Sequence, residues 1–343
     1  MRRRWFGAAG AVAAAGAVVA GVVGIGTASA QPQLPPVSPE DLVASVMTAQ
    51  PGPFNGTVGI DNELGLPALP GAPQLGNGQQ SARVWSGGDG KGRVALPSGD
   101  GEKTLVSDGT TRWVYDATDR TATRSTGGAP EQKDPQTDPA GASAQIIGDL
   151  RKTSQVAVDG TAEVAGRPAY TLVLTPQPSE RTMLREVRVA VDAEKRIPLQ
   201  LTVLATGSAT PALQIGFDDV TFGPQDPSLF TFTPPPGTTV KDAPARGQGA
   251  PGAPDRQGPP QGSRTVGDGW DRVVVFQRPA QQPGRQAPQG APDLNALGTP
   301  VTGPFGNGRA ITTAVGTAIV TDDGRVAVGA VPEPVVAEAL GTK

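Results

Sequence analysis

The feature that most constrains the fold of this chain is the alternation of apolar and polar residues between Val164 and Val240. Four successive segments repeat this pattern with a period of two. Their apolar positions are Tyr170, Leu172 and Leu174; Val187, Val189 and Val191; Leu199, Leu201 and Val203; and Leu213, Ile215 and Phe217. Such alternation is typical of strands with one buried and one solvated face. The stretch therefore predicts four strands.

The links between these four segments are short and rich in turn-forming residues. They contain Pro176 and Pro178, then Asp192 to Lys195, then Thr206 to Ser208. Links of this length join neighbouring antiparallel strands. We therefore expect an antiparallel meander whose apolar face needs a cover or a partner sheet.

The chain before this meander predicts two helices and further strands. Ser38 is a suitable N-cap, Pro39 suits the first helical position, and the acidic residues that follow favour a helix start. A second helix is predicted over residues 140–152. The predicted strands are Phe54–Ile60, Ala82–Ser86, Arg93–Leu96, Lys103–Ser107, Arg112–Asp116 and Gln155–Val158. Together these elements predict a mainly β fold with few helices.

The first 30 residues have the organisation of an export signal. Arg2 to Arg4 form a basic start, an apolar run from Trp5 to Ile25 follows, and Ala28-Ser29-Ala30 suits cleavage before Gln31. We expect residues 1–30 to be a signal peptide and the protein to be secreted or associated with the cell envelope. The alternative is an uncleaved membrane anchor, because the apolar run is just long enough to span a bilayer.

The absence of histidine and cysteine excludes several kinds of chemistry. The chain can form neither a Ser-His-Asp nor a Cys-His catalytic pair, and no ordinary zinc site or disulfide. Its net charge of −3 would become −6 without the three signal arginines, and no basic block is interleaved with aromatic residues. Nucleic acid is therefore not an expected partner. No cofactor is expected either.

Two pairs of adjacent aspartates are the remaining candidates for catalysis. Asp218-Asp219 and Asp322-Asp323 stand where predicted strands end or turn. Aspartate is favoured in turns because its carboxylate accepts hydrogen bonds from nearby backbone. We therefore interpret both pairs as structural and expect no enzyme. Hydrolysis by paired carboxylates is the alternative that they leave open.

After Val240 the composition shifts to proline, glycine, glutamine and alanine, which is typical of flexible linkers. This shift divides the chain. The predicted parts are the signal peptide at 1–30, a main domain at 31–242, linkers at 243–269 and 279–292, an extra strand at 270–278 between them, and an extension at 293–343.

The extension has the pattern of a β-hairpin followed by a helix. Ala310–Val320 and Arg325–Val331 are predicted strands, and Asp322-Asp323-Gly324 between them is a strong hairpin turn signal. Glu333–Leu340 is predicted to be a short helix. Because a lone hairpin is marginally stable in water, we expect the extension to dock on the main domain, with Trp270–Gln277 as a third or bridging strand.

The apolar face of the predicted sheet is the candidate site. A curved sheet with two short helices has few layers to bury such a face, so it forms either a thin core or the wall of a pocket. The residues that we assign to this face are Val84, Leu105, Trp113, Tyr115, Tyr170, Leu172, Val189, Leu201 and Phe217. At this point core packing and the lining of a cavity for an acyl chain both remain open.

Three short motifs resemble those of a known family. Trp113-Val114-Tyr115-Asp116 follows a Ser-Asp-Gly turn, and Val191-Asp192-Ala193-Glu194 is followed by Ile197-Pro198-Leu199. The domain ends on Phe230-Thr231-Phe232-Thr233-Pro234-Pro235-Pro236-Gly237. In this order the motifs are similar to those of the LolA/RseB-like outer-membrane-lipoprotein-sorting superfamily, in its actinobacterial branch. The resemblance covers residues 38–242, and the tail from Trp270 to Leu340 resembles the C-terminal extension of that branch.

The resemblance implies an unclosed antiparallel β-barrel with a helical lid and a hydrophobic cavity between the sheet and the lid. It implies a non-enzymatic, exported and monomeric carrier that holds lipid or lipoprotein acyl chains. The alternative is an RseB-like regulatory module that contacts a membrane anti-sigma factor or another envelope protein. No motif places the functional arginine of the carriers in this chain.

Overall fold

The structure, a computed structural model, describes residues 33–65, 77–98, 101–126, 147–243, 263–278 and 298–342. The predicted signal peptide and the linker at 279–292 lie outside these ranges. So do residues 140–146 of the second predicted helix and most of the linker predicted at 243–269.

A twelve-stranded sheet contains the predicted meander. Its strands are β1 (Phe54–Asn62), β2 (Gly78–Gly88), β3 (Lys91–Ser98), β4 (Gly101–Asp108), β5 (Thr111–Asp116), β6 (Thr121–Thr126), β7 (Ser154–Val164), β8 (Arg167–Pro176), β9 (Leu184–Asp192), β10 (Pro198–Ala205), β11 (Pro211–Phe222) and β12 (Thr239–Asp242). Their order is β12-β6-β5-β4-β3-β2-β1-β11-β10-β9-β8-β7, and neighbours are antiparallel except β12 with β6. The sheet is curved and ends in two edges, β7 and β12, so the predicted unclosed antiparallel sheet is confirmed.

The four strands predicted in the meander are β8 to β11. A tight turn between β7 and β8 sets the register in which these two strands pair. Ala165 and Gly166 adopt φ values of +52° and +70°, as a two-residue type I′ hairpin turn requires. Val164 consequently pairs with Arg167. The register matters because a shift by one residue would move every apolar side chain of a strand to the other face.

Strands β6 and β12 are not predicted by the sequence. In β6 the single apolar residue is Ala122, and all four residues of β12 are exposed. Neither segment has an alternating apolar face. Each is extended because a neighbouring strand supplies backbone partners, β5 for β6 and β6 for β12.

Helix α1 (Pro39–Met47) begins as predicted. The Ser38 hydroxyl accepts a hydrogen bond from the Asp41 amide at 3.1 Å, which satisfies one of the unpaired N–H groups at a helix start. The α1 residue Leu42 is fully buried. Of the second predicted helix, α2, residues 147–150 are described as helical, and Arg151 directly after them forms an ion pair with Glu40 of α1.

The C-terminal part forms a second, six-stranded antiparallel sheet rather than a hairpin alone. Its elements are β13 (Arg264–Val266), β14 (Val273–Gln277), β15 (Thr299–Gly303), β16 (Gly306–Thr312), β17 (Thr317–Thr321), β18 (Arg325–Gly329) and α3 (Glu333–Gly341). The strand order is β13-β14-β18-β17-β16-β15. Helix α3 packs on one face through Val336 and Leu340, and a core of buried residues such as Ile319 and Ala327 lies beneath it.

Three predictions for this part differ from the structure. The strand predicted over Ala310–Val320 is two strands, β16 and β17, because the Thr313 hydroxyl accepts from the Gly316 amide at 3.1 Å and closes a turn between them. Trp270 lies in a 3-10 turn, Gly269–Asp271, rather than in a strand. Strand β13 lies within the predicted linker 243–269. The hairpin turn at Asp322-Asp323-Gly324 and the final helix are confirmed.

The two sheets meet at a contact that we call the junction, formed by Ser154, Glu180 and Met183 of the first sheet with Trp270 and Ala330 of the second. The Trp270 indole donates to the Ser154 hydroxyl at 2.7 Å. The Glu180 carboxylate accepts from the Trp270 amide at 2.8 Å, and the Met183 amide donates to the Ala330 carbonyl at 2.9 Å. Backbone groups and partly buried side chains thus fix the contact.

Candidate ligand-binding face

Directly opposed apolar side chains cross six adjacent strands of the first sheet. We call this set the apolar row, and it consists of Val158, Leu172, Val189, Leu201, Ile215 and Ile60, on β7, β8, β9, β10, β11 and β1. Residues that face one another across paired strands lie on the same side of a sheet. The row therefore defines one side of the sheet, which we call the apolar face.

The apolar face continues onto strands β2 to β5. Gly56 is four residues before Ile60 on β1, so it lies on the same face, and it pairs with Val84. From Val84 the pairing runs to Val94, Leu105 and Val114 on successive strands. The apolar face thus spans ten strands of the sheet.

Seven of the nine residues assigned to the candidate site lie on this face. They are Val84, Leu105, Tyr170, Leu172, Val189, Leu201 and Phe217. Tyr170, Leu172 and Val189 belong to one cluster, with Leu42 of α1. Phe217 packs instead against a second cluster that contains Ala169 and Leu199.

The assignment of Trp113 and Tyr115 to this face was wrong. Trp113 pairs with Val106, and Tyr115 pairs with Thr104, on the opposite side of the sheet from Leu105. Both rings pack against Phe232, with centroid distances of 5.4 and 5.5 Å. The aromatic pair therefore anchors the segment that follows β11. The assignment failed because alternation shows which residues share a face of one strand, but not which face of the sheet they lie on.

Helix α1 covers the β7–β9 end of the apolar face. Leu42 packs on Tyr170, Leu172 and Val191, and the Tyr170 hydroxyl donates to the Pro35 carbonyl at 3.0 Å. In this region Tyr170 is 5% exposed and Leu172 is 8% exposed. Of the six members of the row, Leu172 is buried, and Val158, Val189, Leu201, Ile215 and Ile60 are all half-buried.

The turn between β9 and β10 is held by a buried carboxylate. Asp192 is fully buried and accepts from the Arg167 guanidinium and from the Glu194 and Lys195 amides, the last two at 2.8 and 2.6 Å. Burial raises the pKa of Asp192, but these hydrogen bonds outweigh it and leave the pKa below its ordinary value. The Val191-Asp192-Ala193-Glu194 motif is therefore a structural turn.

Arg196, in the same turn, has a position that sequence reasoning missed. Its φ is +58°, in the left-handed region. Its guanidinium carbon lies 5.1 Å from the centre of the Tyr170 ring. Its Nη1 is buried and has no hydrogen-bond partner among the residues that the structure describes. The sequence gives no signal for this, since Lys195-Arg196 has the composition of an ordinary exposed turn.

The paired aspartates lie apart from the apolar row. Asp218 and Asp219 are exposed residues of β11, beside an irregularity in its pairing with β1. The Asp323 carboxylate accepts from Arg325 and Thr321, which lowers its pKa to about 2. Across the described ranges, no group of three or more carboxylate side chains could hold a metal ion. None of the helices within those ranges is long and apolar enough to cross a membrane.

The second sheet carries an open apolar groove of about 350 Å³. Residues Ile311, Val315, Ala318, Val328 and Ala330 are among those that line it. Val328 is 43% exposed, which is unusual for an apolar residue in a strand. The turn beside the groove also contacts the first sheet, because the Ala314 amide donates to the Leu64 carbonyl at 2.8 Å.

These features define a class: a curved, unclosed antiparallel sheet with a helix over one end of its apolar face and a second sheet docked beside it. No family model matches the sequence, and no curated protein matches it. Among solved structures, the chain is similar to the Pseudomonas aeruginosa MucA/MucB complex, with 17% identity over 88% of this chain and 95% of that chain and a TM-score of 0.46. It is also similar to a LolA superfamily protein from Nitrosomonas europaea, with 14% identity over 57% and 99% and a TM-score of 0.25.

Proposed function

We propose that the protein is a non-enzymatic carrier that holds an acyl chain of a lipid or lipoprotein on its apolar face. The observation that carries this proposal is the apolar row, whose six members stand directly opposite one another. With strands about 4.8 Å apart, the row is about 24 Å long. Each CH₂ group removed from water contributes about 0.8 kcal/mol, so a chain lying along the row gains affinity on every strand.

The uneven burial of the row supports a binding surface over a completed core. Leu172, beneath α1, is buried, whereas the other five members of the row are half-buried. A finished core packs its members at crystal-like density. A ligand site instead keeps apolar side chains within reach of the molecule that covers them.

The chemistry of the polar residues supports binding over catalysis. The chain has no histidine and no cysteine, and the carboxylates of Asp192 and Asp323 are occupied by hydrogen bonds within their own turns. The predicted signal peptide at residues 1–30 places a carrier of this kind outside the cytoplasm. We expect it to work as a monomer.

Titration of the protein with a dansyl-labelled fatty acid tests the proposal. Leu201→Trp fills the middle of the row with a larger apolar side chain and should weaken binding at least about tenfold, because the ligand and the indole compete for the same space. Thr202→Trp is the matched control. Thr202 is the next residue along β10, points to the opposite side of the sheet, and its replacement should leave the affinity unchanged.

Two results would contradict the proposal, the first its carrier function and the second its binding surface. One is the failure of the wild-type protein to bind the labelled fatty acid, together with the absence of lipid in protein purified from its native host and examined by native mass spectrometry. The other is equal loss of binding in both tryptophan variants, which would assign the effect to general destabilisation of β10.

A second candidate function is regulatory contact with an envelope protein such as a membrane anti-sigma factor. The groove on the second sheet favours it, since Val328 and Ala318 present apolar surface that the carrier function does not use. A photo-crosslinking amino acid at position 328 in the native host should capture a membrane-anchored protein, whereas the same label at the exposed position 312 should not. Equal labelling from both positions would contradict a specific contact.

A further inference from the structure

The Arg196 side chain is incompletely satisfied in an otherwise well-paired turn. Its Nη1 is shielded from water and lacks a hydrogen-bond partner within the described ranges. A buried polar N–H group without a partner is costly, and few native groups stay in that state unless a water molecule, a ligand or an ion completes them. The position is also held in a left-handed backbone conformation, φ +58°, which an arginine adopts with strain.

The acidic residues of the same turn are committed elsewhere. Asp192 is paired with Arg167 and two backbone amides. Glu194 is paired with Arg167 at 3.2 Å and with Lys195 at 3.0 Å. The remaining neighbour of Arg196 is the Tyr170 ring, whose π face attracts the cation but accepts no directed hydrogen bond at Nη1. The positive charge is thus without a neutralising carboxylate in its own turn.

The positive charge of Arg196 lies close to the apolar face. Tyr170, on which the guanidinium lies, is part of the cluster under α1 and stands two residues before Leu172 of the apolar row. The arginine therefore lies to one side of the row, at the turn that joins β9 and β10, the strands of the half-buried row residues Val189 and Leu201. A molecule with an anionic head and an apolar chain would match both the Arg196 guanidinium and the apolar row.

We infer that Arg196 is a specificity-determining residue that binds the oxyanion head of the ligand whose chain lies on the apolar row. The head is a carboxylate or a phosphate, and both offer oxygens that an arginine N–H can reach in a desolvated position. This inference rests on the proposed carrier function and adds the chemical class of its ligand: an anionic amphiphile rather than a neutral one.

Isothermal titration of the full-length protein with decanoic acid, decyl phosphate and decan-1-ol, each below its micelle concentration, tests the inference. The three ligands share one chain and differ in the head. Wild-type protein should bind an anionic ligand about tenfold more tightly than the alcohol, the ratio expected for one charge-assisted hydrogen bond. A preference for the acid or for the phosphate identifies the source of the oxyanion.

Substitution then assigns the preference to the residue. Arg196→Gln should abolish the preference, because binding of the two anionic ligands falls towards that of the alcohol. Arg196→Lys, which keeps the charge, should retain part of it. Arg188→Gln is the control, because Arg188 is an exposed residue that lies opposite Thr202, on the other side of the sheet.

The outcomes separate the two proposals. If the wild-type protein binds all three ligands equally, the role of Arg196 is overturned and the apolar carrier function stands. If it binds none of them, both are overturned. If Arg188→Gln removes the preference as fully as Arg196→Gln, net charge is responsible rather than this site.

Discussion

Asp192 shows how one buried charge fixes the turn beside the apolar row. Its carboxylate is fully buried, and ionisation is favoured because Arg167 and two amides donate to it. The same arginine lies over the ring of Phe222, 4.8 Å from the ring centre, so the pair also ties the turn to the end of β11. The contribution of Asp192 to the stability of the fold therefore depends on its pairing with Arg167 rather than on its burial.

Asp192→Asn should lower the free energy of unfolding by about 3 kcal/mol at pH 7, because Arg167 is left without its charged partner in a partly buried position. The folded-state pKa of Asp192 lies below its ordinary value. Its stabilisation is therefore complete above the unfolded pKa and is lost as the pH falls through the folded value. Urea unfolding at several pH values between 7 and 2 measures both effects.

The comparison between wild type and variant isolates Asp192. Asp323, with a pKa of about 2 set mainly by Arg325, loses stabilisation in the same acid range, so the wild-type curve alone reports both groups. The difference between the two proteins should shrink towards pH 2. A difference that stays constant over this range would contradict the assignment, and Glu186→Gln, which removes the partner of exposed Arg188, should show little effect.

Individual residues also show which features of the site could be predicted from the sequence and which could not. Period-two alternation correctly grouped Tyr170 with Leu172, because neighbours two apart share a face of any strand. It could not place Trp113 relative to Leu105, since that depends on which strands pair and in which register. Arg196 was missed for a related reason: its guanidinium lies on the ring of Tyr170, which belongs to another strand, β8.

At the scale of elements, α1 packs on the β7–β9 end of the apolar face through Leu42, with Val43 and Val46 beside it. Leu42 is fully buried in a cluster with Tyr170 and Leu172, whereas Met47 at the end of the same helix is 43% exposed. Helix propensity alone does not keep a nine-residue helix folded in water. The packing of Leu42 therefore determines whether α1 stays on the sheet.

Leu42→Ala should lower the free energy of unfolding by about 3 kcal/mol, since it removes buried methyl groups and leaves a cavity under α1. Met47→Ala, in the same helix and at an exposed position, should change it by less than about 0.5 kcal/mol. Urea unfolding measures both values, and hydrogen exchange of the α1 amides shows whether the loss is local. Similar values for the two variants would show that α1 does not depend on this contact.

Elements with strong local signals were predicted and those without were not. The capped start of α1, the meander strands and the Asp322-Asp323-Gly324 turn each have their own residue pattern. Strands β6 and β12 lack one, since their polar residues are extended only through backbone pairing with a neighbour. The turn between β16 and β17 is closed by the amide and the hydroxyl of Thr313, and nothing in the sequence distinguishes this threonine from a strand threonine.

At the scale of the whole molecule, the junction links the proposed carrier surface to the sheet that bears the groove. Glu180 lies in the β8–β9 connection, and β8 and β9 both contribute to the apolar row. Its carboxylate accepts from two amides of the 3-10 turn at Gly269–Asp271. A change in the strands under α1 therefore has a direct structural path to the second sheet, through the hydrogen bonds of the junction.

Gly269→Ala is the substitution that breaks this contact most selectively. Gly269 has a φ of +60°, and an added methyl group would meet the side chain of Thr153 and stand 2.8 Å from Oε2 of Glu180. Gly207→Ala is the matched control, because Gly207 has a φ of +80° and nothing within 4 Å of such a methyl group. Both variants carry the backbone strain of about 1–2 kcal/mol, so their difference reports the junction alone.

We expect Gly269→Ala to be less stable than Gly207→Ala by about 2 kcal/mol, the usual cost of forcing extra volume into a packed contact. Once the junction is weakened, the two sheets should also unfold in separate transitions, since each has its own buried core. Scanning calorimetry gives both results, and Trp270 fluorescence shifts to longer wavelength as its indole leaves Ser154. A single transition of equal midpoint in the two variants would show that the sheets unfold together for reasons other than this contact.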